Sequence, residues 1–323
     1  MLQDPFKRKI NYLRLSVTDR CDFRCQYCMS EDIEFMPKNQ MLTIEEMNRL
    51  ANIFINLGVE KIRLTGGEPL VRRGVNELID KLSHNKKLKE LTLTTNGSQL
   101  DQKLDVLKQS KIKRINVSLD SLCSENFKKI TRIGNLNEVL ANLEVAKEYL
   151  QIKLNTVLMK NINDHEIIDL VSYAVEQNFN ISFIEQMPLG EIGYDRSTSF
   201  INSNEAKKII EKRYILEENN KSTGGPAVYW KIKGSNSFVG FISPHSHNFC
   251  DSCNRVRVSA DGYLHLCLGH DEKVNLIEPL RAHDTDHAVE RLIIDSLSSK
   301  PKSHEFNLEN KTNVIRFMSH TGG

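Results

Sequence analysis

The sequence predicts an α/β protein: a partial barrel of about six βα units followed by a smaller α+β region. Three observations carry that expectation. Strand-like and helix-like segments alternate through the first 190 residues, and such alternation asks for a parallel sheet with crossover helices. The strand segments themselves alternate polar with apolar residues, so one face turns to the helices and the other to a lumen. Beyond residue 190 the pattern changes to short strands broken by turns. The expected division is a barrel over residues 1–190, a C-terminal domain over 191–299 and a polar, flexible tail over 300–323.

In order along the chain, the predicted barrel strands are Tyr12–Thr18, Val59–Leu64, Glu90–Thr94, Arg114–Leu119, Ile152–Leu158 and Asn180–Ile184. Between the first two, Thr43-Ile44-Glu45-Glu46 reads as a capping box. The apolar face behind it holds Ile44, Met47, Leu50, Ala51, Phe54 and Leu57, and Gly58 stands at the expected C-cap. Asn137–Leu150 repeats the helical pattern, and Asn163-Asp164-His165-Glu166 predicts another capped helix. Leu189–Ser199 reads as a linker and Asn202–Arg213 as a short helix. Strands follow at Ala227–Lys231, Ser237–Ile242, Val256–Ser259 and Tyr263–Leu266, the last two joined by an Asp261-Gly262 turn. Asp286–Leu297 reads as a helix.

The polar strand faces carry functional information. Tyr12, Arg14 and Ser16 alternate with Leu13, Leu15 and Val17; Lys61 and Arg63 with Ile62 and Leu64; Thr92 and Thr94 with Leu91 and Leu93; Asn116, Ser118 and Asp120 with Ile115, Val117 and Leu119. A lumen holding Arg14, Lys61 and Arg63 suits an anionic ligand. An open antiparallel sheet with one wet face alternates in the same way, but the helical spacers favour the barrel.

Composition bounds the partners. The 323 residues are 39% hydrophobic and 27% charged, as in a folded soluble domain rather than a disordered chain. Lys and Arg number 44 against 42 Asp and Glu, a balance that argues against bulk nucleic-acid or anionic-membrane binding. No apolar run is long enough to span a bilayer. Met1 to Ile10 has no signal-peptide core, which predicts a cytoplasmic protein.

Six of the seven cysteines form two groups. Cys21, Cys25 and Cys28 are spaced C-x3-C-x2-C directly after the first strand. Three thiolates on one short loop can hold three irons of a cubane cluster and leave the fourth iron open. A zinc site with a remote fourth ligand is the alternative. Cys250, Cys253 and Cys267 are spaced C-x2-C-x13-C. Zinc competes more strongly there, because His245 and His247 lie just upstream. Cys123 belongs to neither group.

The first triad, with Tyr27 just before its third cysteine, resembles the signature of radical S-adenosylmethionine (SAM) enzymes. Thr65-Gly66-Gly67-Glu68-Pro69 after the second strand resembles that family's GGE motif. Taken with the C-terminal triad, the order of motifs is similar to the GTP 3′,8-cyclase branch of molybdenum-cofactor biosynthesis. Leu13–Cys21, Arg63–Leu70, Leu93–Gly97, Arg114–Asp120, Phe183–Pro188, Cys253–Arg257 and the terminal Gly322-Gly323 carry the likeness along nearly the whole chain.

The resemblance implies a radical SAM barrel and two [4Fe–4S] clusters, one on Cys21, Cys25 and Cys28 and one on Cys250, Cys253 and Cys267. It implies SAM contacts at Tyr27, Gly67, Glu68, Ser118 and Met187. It places GTP near Arg14, Lys61, Arg63, Thr94, Lys160, Arg255 and Arg257, with the Gly322-Gly323 tail reaching into the site. The implied chemistry is hydrogen abstraction from C3′ of GTP and closure onto C8 of guanine. Implied partners are an electron donor of the flavodoxin or ferredoxin type, a downstream cyclic pyranopterin monophosphate synthase and a second copy in a homodimer. One position departs from the pattern: Ser182 stands where the family commonly has Arg. That leaves room for a divergent paralogue with another substrate, for a different radical SAM enzyme with an auxiliary cluster, such as a peptide-modifying one, or for a zinc-stabilised binding module.

Overall fold

The computed structural model describes residues 1–192, 195–308 and 314–322. Its barrel half runs β1 (Tyr12–Ser16), α1 (Ile44–Asn56), β2 (Lys61–Thr65), α2 (Val75–His84), β3 (Glu90–Thr95), α3 (Leu100–Gln109), β4 (Ile112–Ser118), α4 (Ser124–Thr131), α5 (Leu136–Ala146), β5 (Gln151–Val157), α6 (Ile167–Glu176) and β6 (Asn180–Ile184). The C-terminal part adds α7 (Ser203–Glu211), β7 (Leu216–Glu218), β8 (Val228–Ile232), β9 (Phe238–Ile242), β10 (Arg255–Val258), β11 (Tyr263–His265), β12 (Val274–Asn275), α8 (Ile277–Ala282), α9 (His287–Ser296) and α10 (Met318–Thr321).

β1 to β6 pair in sequence order, all parallel, as six consecutive βα units require. The apolar positions of these strands pack against the helices: Leu13, Leu15, Ile62, Leu64, Leu93, Ile115, Val117 and Leu154 are buried in one core with α1 to α6. α1 shows how local sequence and core agree. Thr43 Oγ1 accepts from the Glu46 N–H while Glu46 reaches back to the Thr43 N–H, closing the predicted capping box. Met47, Leu50, Ala51 and Phe54 line the inner face, each large one contributing on the order of 2 kcal/mol by leaving water. Gly58 then takes φ 107°, a conformation that favours glycine.

Three departures have physical causes. Asn163 does not cap a helix through its side chain; its amide donates to Asp120 O and Val157 O, and its Oδ1 accepts from Met159 N. A short 3₁₀ turn at Asp164–Glu166 precedes α6 instead. The C-terminal strands continue the barrel sheet: β10 pairs parallel with β1, β9 pairs parallel with β6, and one 12-stranded sheet results. The tail is not loose where it is described. Val314 bridges Leu189, and Val314, Ser319 and Thr321 are all buried. No described helix is long and apolar enough to cross a membrane.

Candidate functional site

The parallel register stacks the polar strand residues into rungs. One rung runs Arg257, Arg14, Arg63, Thr92 across β10, β1, β2 and β3; the next runs Arg255, Tyr12, Lys61, Glu90. Further round, Asn116 lies beside Lys153, and Ser118 beside Asn155, which lies beside Ser182. Of these, Tyr12, Arg14, Lys61, Arg63, Asn116, Ser118, Lys153, Asn155, Arg255 and Arg257 line a cavity of about 280 Å³ inside the barrel. All six cysteines of the two triads line the same cavity.

The first triad sits on a loop held from both sides. Asp22 accepts from Asn96 Nδ2 at 2.7 Å, Ser98 Oγ at 2.6 Å and Gln99 Nε2 at 3.1 Å, which locks the cysteine loop to the loop after β3. Tyr27 OH donates to Asp120 at 2.7 Å. Burial pushes the Cys21 and Cys25 thiols up, with nearby Glu68 and Asp120 adding to it. In the second triad burial also raises Cys253, but Arg255 and Lys300 outweigh it and bring the thiol to about 7.

The donor set fits iron–sulfur clusters. The Phe23 N–H donates to Cys21 Sγ at 3.3 Å, and the cations of Arg255 and Lys300 favour the thiolate of Cys253. Such contacts stabilise thiolate charge and tune cluster potential. Among the described residues no three Cys, His, Asp or Glu side chains are grouped to hold a single metal ion. A cubane needs one thiolate per iron, so its sulfurs need not converge on a point. His245 is committed elsewhere, its Nε2 on Gln186 O at 2.9 Å, and His247 is exposed.

The cations of the lumen interact strongly. Arg63 Nε donates to Tyr12 OH at 2.6 Å, and its Nη1 to Thr94 Oγ1 at 3.1 Å. Burial would raise the Tyr12 phenol, but Arg63, Arg14 and Lys61 pull it down to about 7. Lys61 reaches Glu90 at 2.9 Å.

The sequence model of the Radical SAM superfamily matches residues 15–174, and that of Molybdenum Cofactor Synthesis C matches 179–306. A GTP 3′,8-cyclase of Ectopseudomonas mendocina is 49% identical over 326 aligned residues, covering 100% of this chain and 98% of the relative. GTP 3′,8-cyclase 2 of Pseudomonas aeruginosa is 50% identical over 328, with the same coverage. The chain belongs to the GTP 3′,8-cyclase family of radical SAM enzymes. Streptococcus suis SuiB shares the fold, with a TM-score of 0.63 at 17% identity over 91% of this chain and 66% of SuiB. Membership in the radical SAM family brings a [4Fe–4S] cluster and SAM as cofactors.

Against the positions that the GTP 3′,8-cyclase resemblance implied, the structure brings most together. Tyr27, Gly67, Ser118 and Met187 line the cavity, as do Arg14, Lys61, Arg63, Thr94, Arg255 and Arg257. Gly67 packs so closely on the Arg20 carbonyl that a Cβ has no room. Two positions do not join them. Glu68 is fully buried outside the cavity lining; its carboxylate accepts from Leu70 N, Thr95 Oγ1 and Asn96 N, binding the loop after β2 to the loop after β3. Its carboxylate acts as a brace between the two loops and does not line the cavity. Lys160 is exposed and away from the cavity, its backbone N–H on Ser199 O. A second lysine beside Lys61 that does face the lumen is Lys153 on β5. Burial, then Arg63 and Arg114, hold its ammonium well below the usual lysine range. Polar–apolar alternation in Lys153-Leu154-Asn155 was the available signal for both Lys153 and Asn155. Gly322 reaches the site: its carbonyl accepts from Arg257 Nη1 at 2.6 Å. Gly323 lies outside the described residues.

Proposed function

We propose that this chain converts GTP to (8S)-3′,8-cyclo-7,8-dihydroguanosine 5′-triphosphate, the first step of molybdenum-cofactor biosynthesis. The observation that carries the reading is the single cavity onto which both cysteine triads open, belted by Arg14, Lys61, Arg63, Lys153, Arg255 and Arg257. Cys21, Cys25 and Cys28 would hold the [4Fe–4S] cluster that binds SAM, and Cys250, Cys253 and Cys267 a second one facing the guanine. The bound cofactors supply the radical that takes hydrogen from the substrate. The protein's share is positioning. Tyr27, Gly67, Ser118 and Met187 hold SAM against the first triad. The guanidinium groups grip the phosphates as bidentate partners. The docked tail, with Met318 in the cavity wall, excludes water.

The same reading assigns residues 191–299 to the second cluster, a catalytic part to Gly322 and Gly323, and the cytoplasm as location. It names a flavodoxin or ferredoxin as electron donor, a cyclic pyranopterin monophosphate synthase as consumer of the product, and a homodimer as assembly. Anaerobic reconstitution followed by incubation with SAM, reductant and GTP tests it. Two clusters demand roughly eight irons per chain, and the cyclised triphosphate should appear. An iron-replete protein that makes no such product refutes the substrate. Zinc in place of iron refutes the chemistry. Loss of activity in R255Q and R257Q, against retention by a peptide-modifying enzyme, separates the two radical SAM readings.

A further inference from the structure

The second cysteine triad is assembled from segments far apart in the chain, and two buried cations join them. The first cation comes from the N-terminus. Asp4 Oδ1 accepts from the backbone N–H groups of Phe6 and Arg8, both at 3.0 Å. These bonds fold residues 3–9 into a tight turn, with Gln3 bridging Lys9 and Lys7 at φ 63°. The turn sets the Arg8 guanidinium on the Asp4 carboxylate at 2.5 Å, with both residues buried. The remaining donors of Arg8 reach across the chain. Nη1 donates to Cys250 O at 2.8 Å and to Lys302 O at 2.7 Å, and Nη2 to Pro301 O at 2.7 Å.

The second cation is Lys300, which follows α9 and is 3% exposed. Its Nζ donates to Arg255 O at 3.2 Å and to Leu266 O. Arg255 stands just beyond Cys253, and Leu266 directly precedes Cys267. The segment 300–302 is therefore bound to Cys250 through Arg8 and to the other two cysteine segments through Lys300.

The cations around the triad differ in their charge balance. Arg8 is neutralised by Asp4. Arg316 donates from the tail to the carbonyls of Cys267 and Leu268 and is neutralised by Asp271 at 2.8 Å. Lys300 donates to carbonyls, and among the described residues no carboxylate pairs with it. A buried ammonium so placed is costly unless a negative charge stands near. Burial lowers the Lys300 ammonium, and the sulfurs of Cys253 and Cys267 are the first charges that hold it up. The missing negative charge is thus that of the triad. A thiolate-held cluster is anionic and gains a further negative charge on reduction, so a fixed cation beside it favours the reduced form.

We propose that Arg8 and Lys300 are positioning residues of the second cluster, which together hold its three cysteine segments ready for iron, and that the charge of Lys300 makes the bound cluster easier to reduce. The inference rests on the reading that Cys250, Cys253 and Cys267 hold a [4Fe–4S] cluster. It gives the N-terminal turn, which lines no part of the cysteine-lined cavity, a task in the site.

The test compares the anaerobically reconstituted full-length chain with R8K, K300Q, K300M, K300R and K302M. Iron per chain is measured, with circular dichroism as the control for folding. Reduction by dithionite is followed by electron paramagnetic resonance in a potentiometric titration, and the signal that SAM leaves unchanged is that of the second cluster. K300Q and K300M both remove the charge, the first keeping a donor and the second the length of the stem, so either one that folds suffices. The second cluster should become at least about tenfold harder to reduce, about 59 mV for one electron, with the first within about twofold of wild type. K300R should return the second cluster towards wild type. Lys302 is exposed, and solvent screens its charge, so K302M should match wild type. R8K keeps the charge but not the planar fork that spans three carbonyls. It should lose the second cluster, about four irons per chain, and keep the first. A second-cluster potential that moves no further in K300Q and K300M than in K302M overturns the role of Lys300. Loss of both clusters alike in R8K, or of neither, overturns that of Arg8. In either case a wild type that carries both clusters leaves the cluster reading standing. Zinc at the second triad of the wild type overturns that reading and the proposal with it.

Discussion

Gly322→Ala is a small change with a large expected effect. Gly322 sits at φ 78° and ψ 132°, in a region that side-chain-bearing residues avoid. Forcing alanine into it costs about 2 kcal/mol. The new Cβ would also stand 2.7 Å from Thr65 Oγ1 and 2.9 Å from Thr65 Cβ. Thr65 lies in β2 and is 1% exposed, so it cannot withdraw. That collision adds on the order of 1 kcal/mol. Together the two shift the balance between docked and undocked tail by about a hundredfold. The contacts at risk are Gly322 O on Arg257 and Gly322 N–H on Met318 O. Hydrogen exchange read by mass spectrometry on the peptide spanning 314–322 should quicken by about that factor, and turnover should fall with it. Unchanged exchange in G322A would show that the tail's position does not depend on this residue, and would refute the reasoning.

Three further predictions follow from the site. Lys153→Ala should weaken GTP binding by at least about tenfold, whereas Lys160→Ala should leave KM and kcat within about twofold of wild type; equal effects would contradict the assignment of the lumenal lysine. Glu68→Gln puts an amide where three donors converge and should lower stability by about 2 kcal/mol, read as a fall in Tm with SAM affinity unchanged in protein that remains folded. Tyr12 should ionise near pH 7 in nucleotide-free protein, since its phenol is brought to about 7 against burial by Arg63, Arg14 and Lys61. Its folded-state value lies below the unfolded 10.0, so its stabilising share is absent below about pH 7 and grows as pH rises towards 10. Bound GTP, by neutralising the cations, should move the ultraviolet tyrosinate transition upward, and a transition that stays put argues against phosphate at Arg63.

The barrel was legible because its signals are local and periodic. Alternation along β1 to β4 assigned the lumen, and the Thr43 box marked the start of α1 to the residue. Lys153 was missed although β5 carries the same alternation; attention to Lys160 came from likeness, not from periodicity. Glu68 shows a different limit. An acidic residue beside two glycines suits an ammonium ligand, and only the fold shows that the loop after β3 brings three donors of its own. The joining of β10 to β1 was illegible for a third reason. Short strands near the C-terminus say nothing about which edge they seek, and the partner lies more than 240 residues away, as between Arg8 Nη1 and Cys250 O. The tail misled because its polar composition describes a solvated segment, while its docking depends on a few specific contacts, Val314 beside Leu189 and Gly322 on Arg257.

The union of β1 with β10 also bears on the making of the protein. β1 emerges first from the ribosome, yet one of its two edges stays open until Arg255–Val258 have been synthesised. Arg8, close to the start, fastens to the carbonyls of Cys250, Pro301 and Lys302. Closing so long a stretch of chain is entropically expensive and happens late. A nascent or prematurely terminated polypeptide therefore carries Cys21, Cys25 and Cys28 without Arg255, Arg257 or the tail that covers them. A radical generated on such a fragment would have no sealed chamber to act in, and would spend itself on whatever lay near. Because β10 shares a wall with β1, the chamber closes only after most of the C-terminal part has been made.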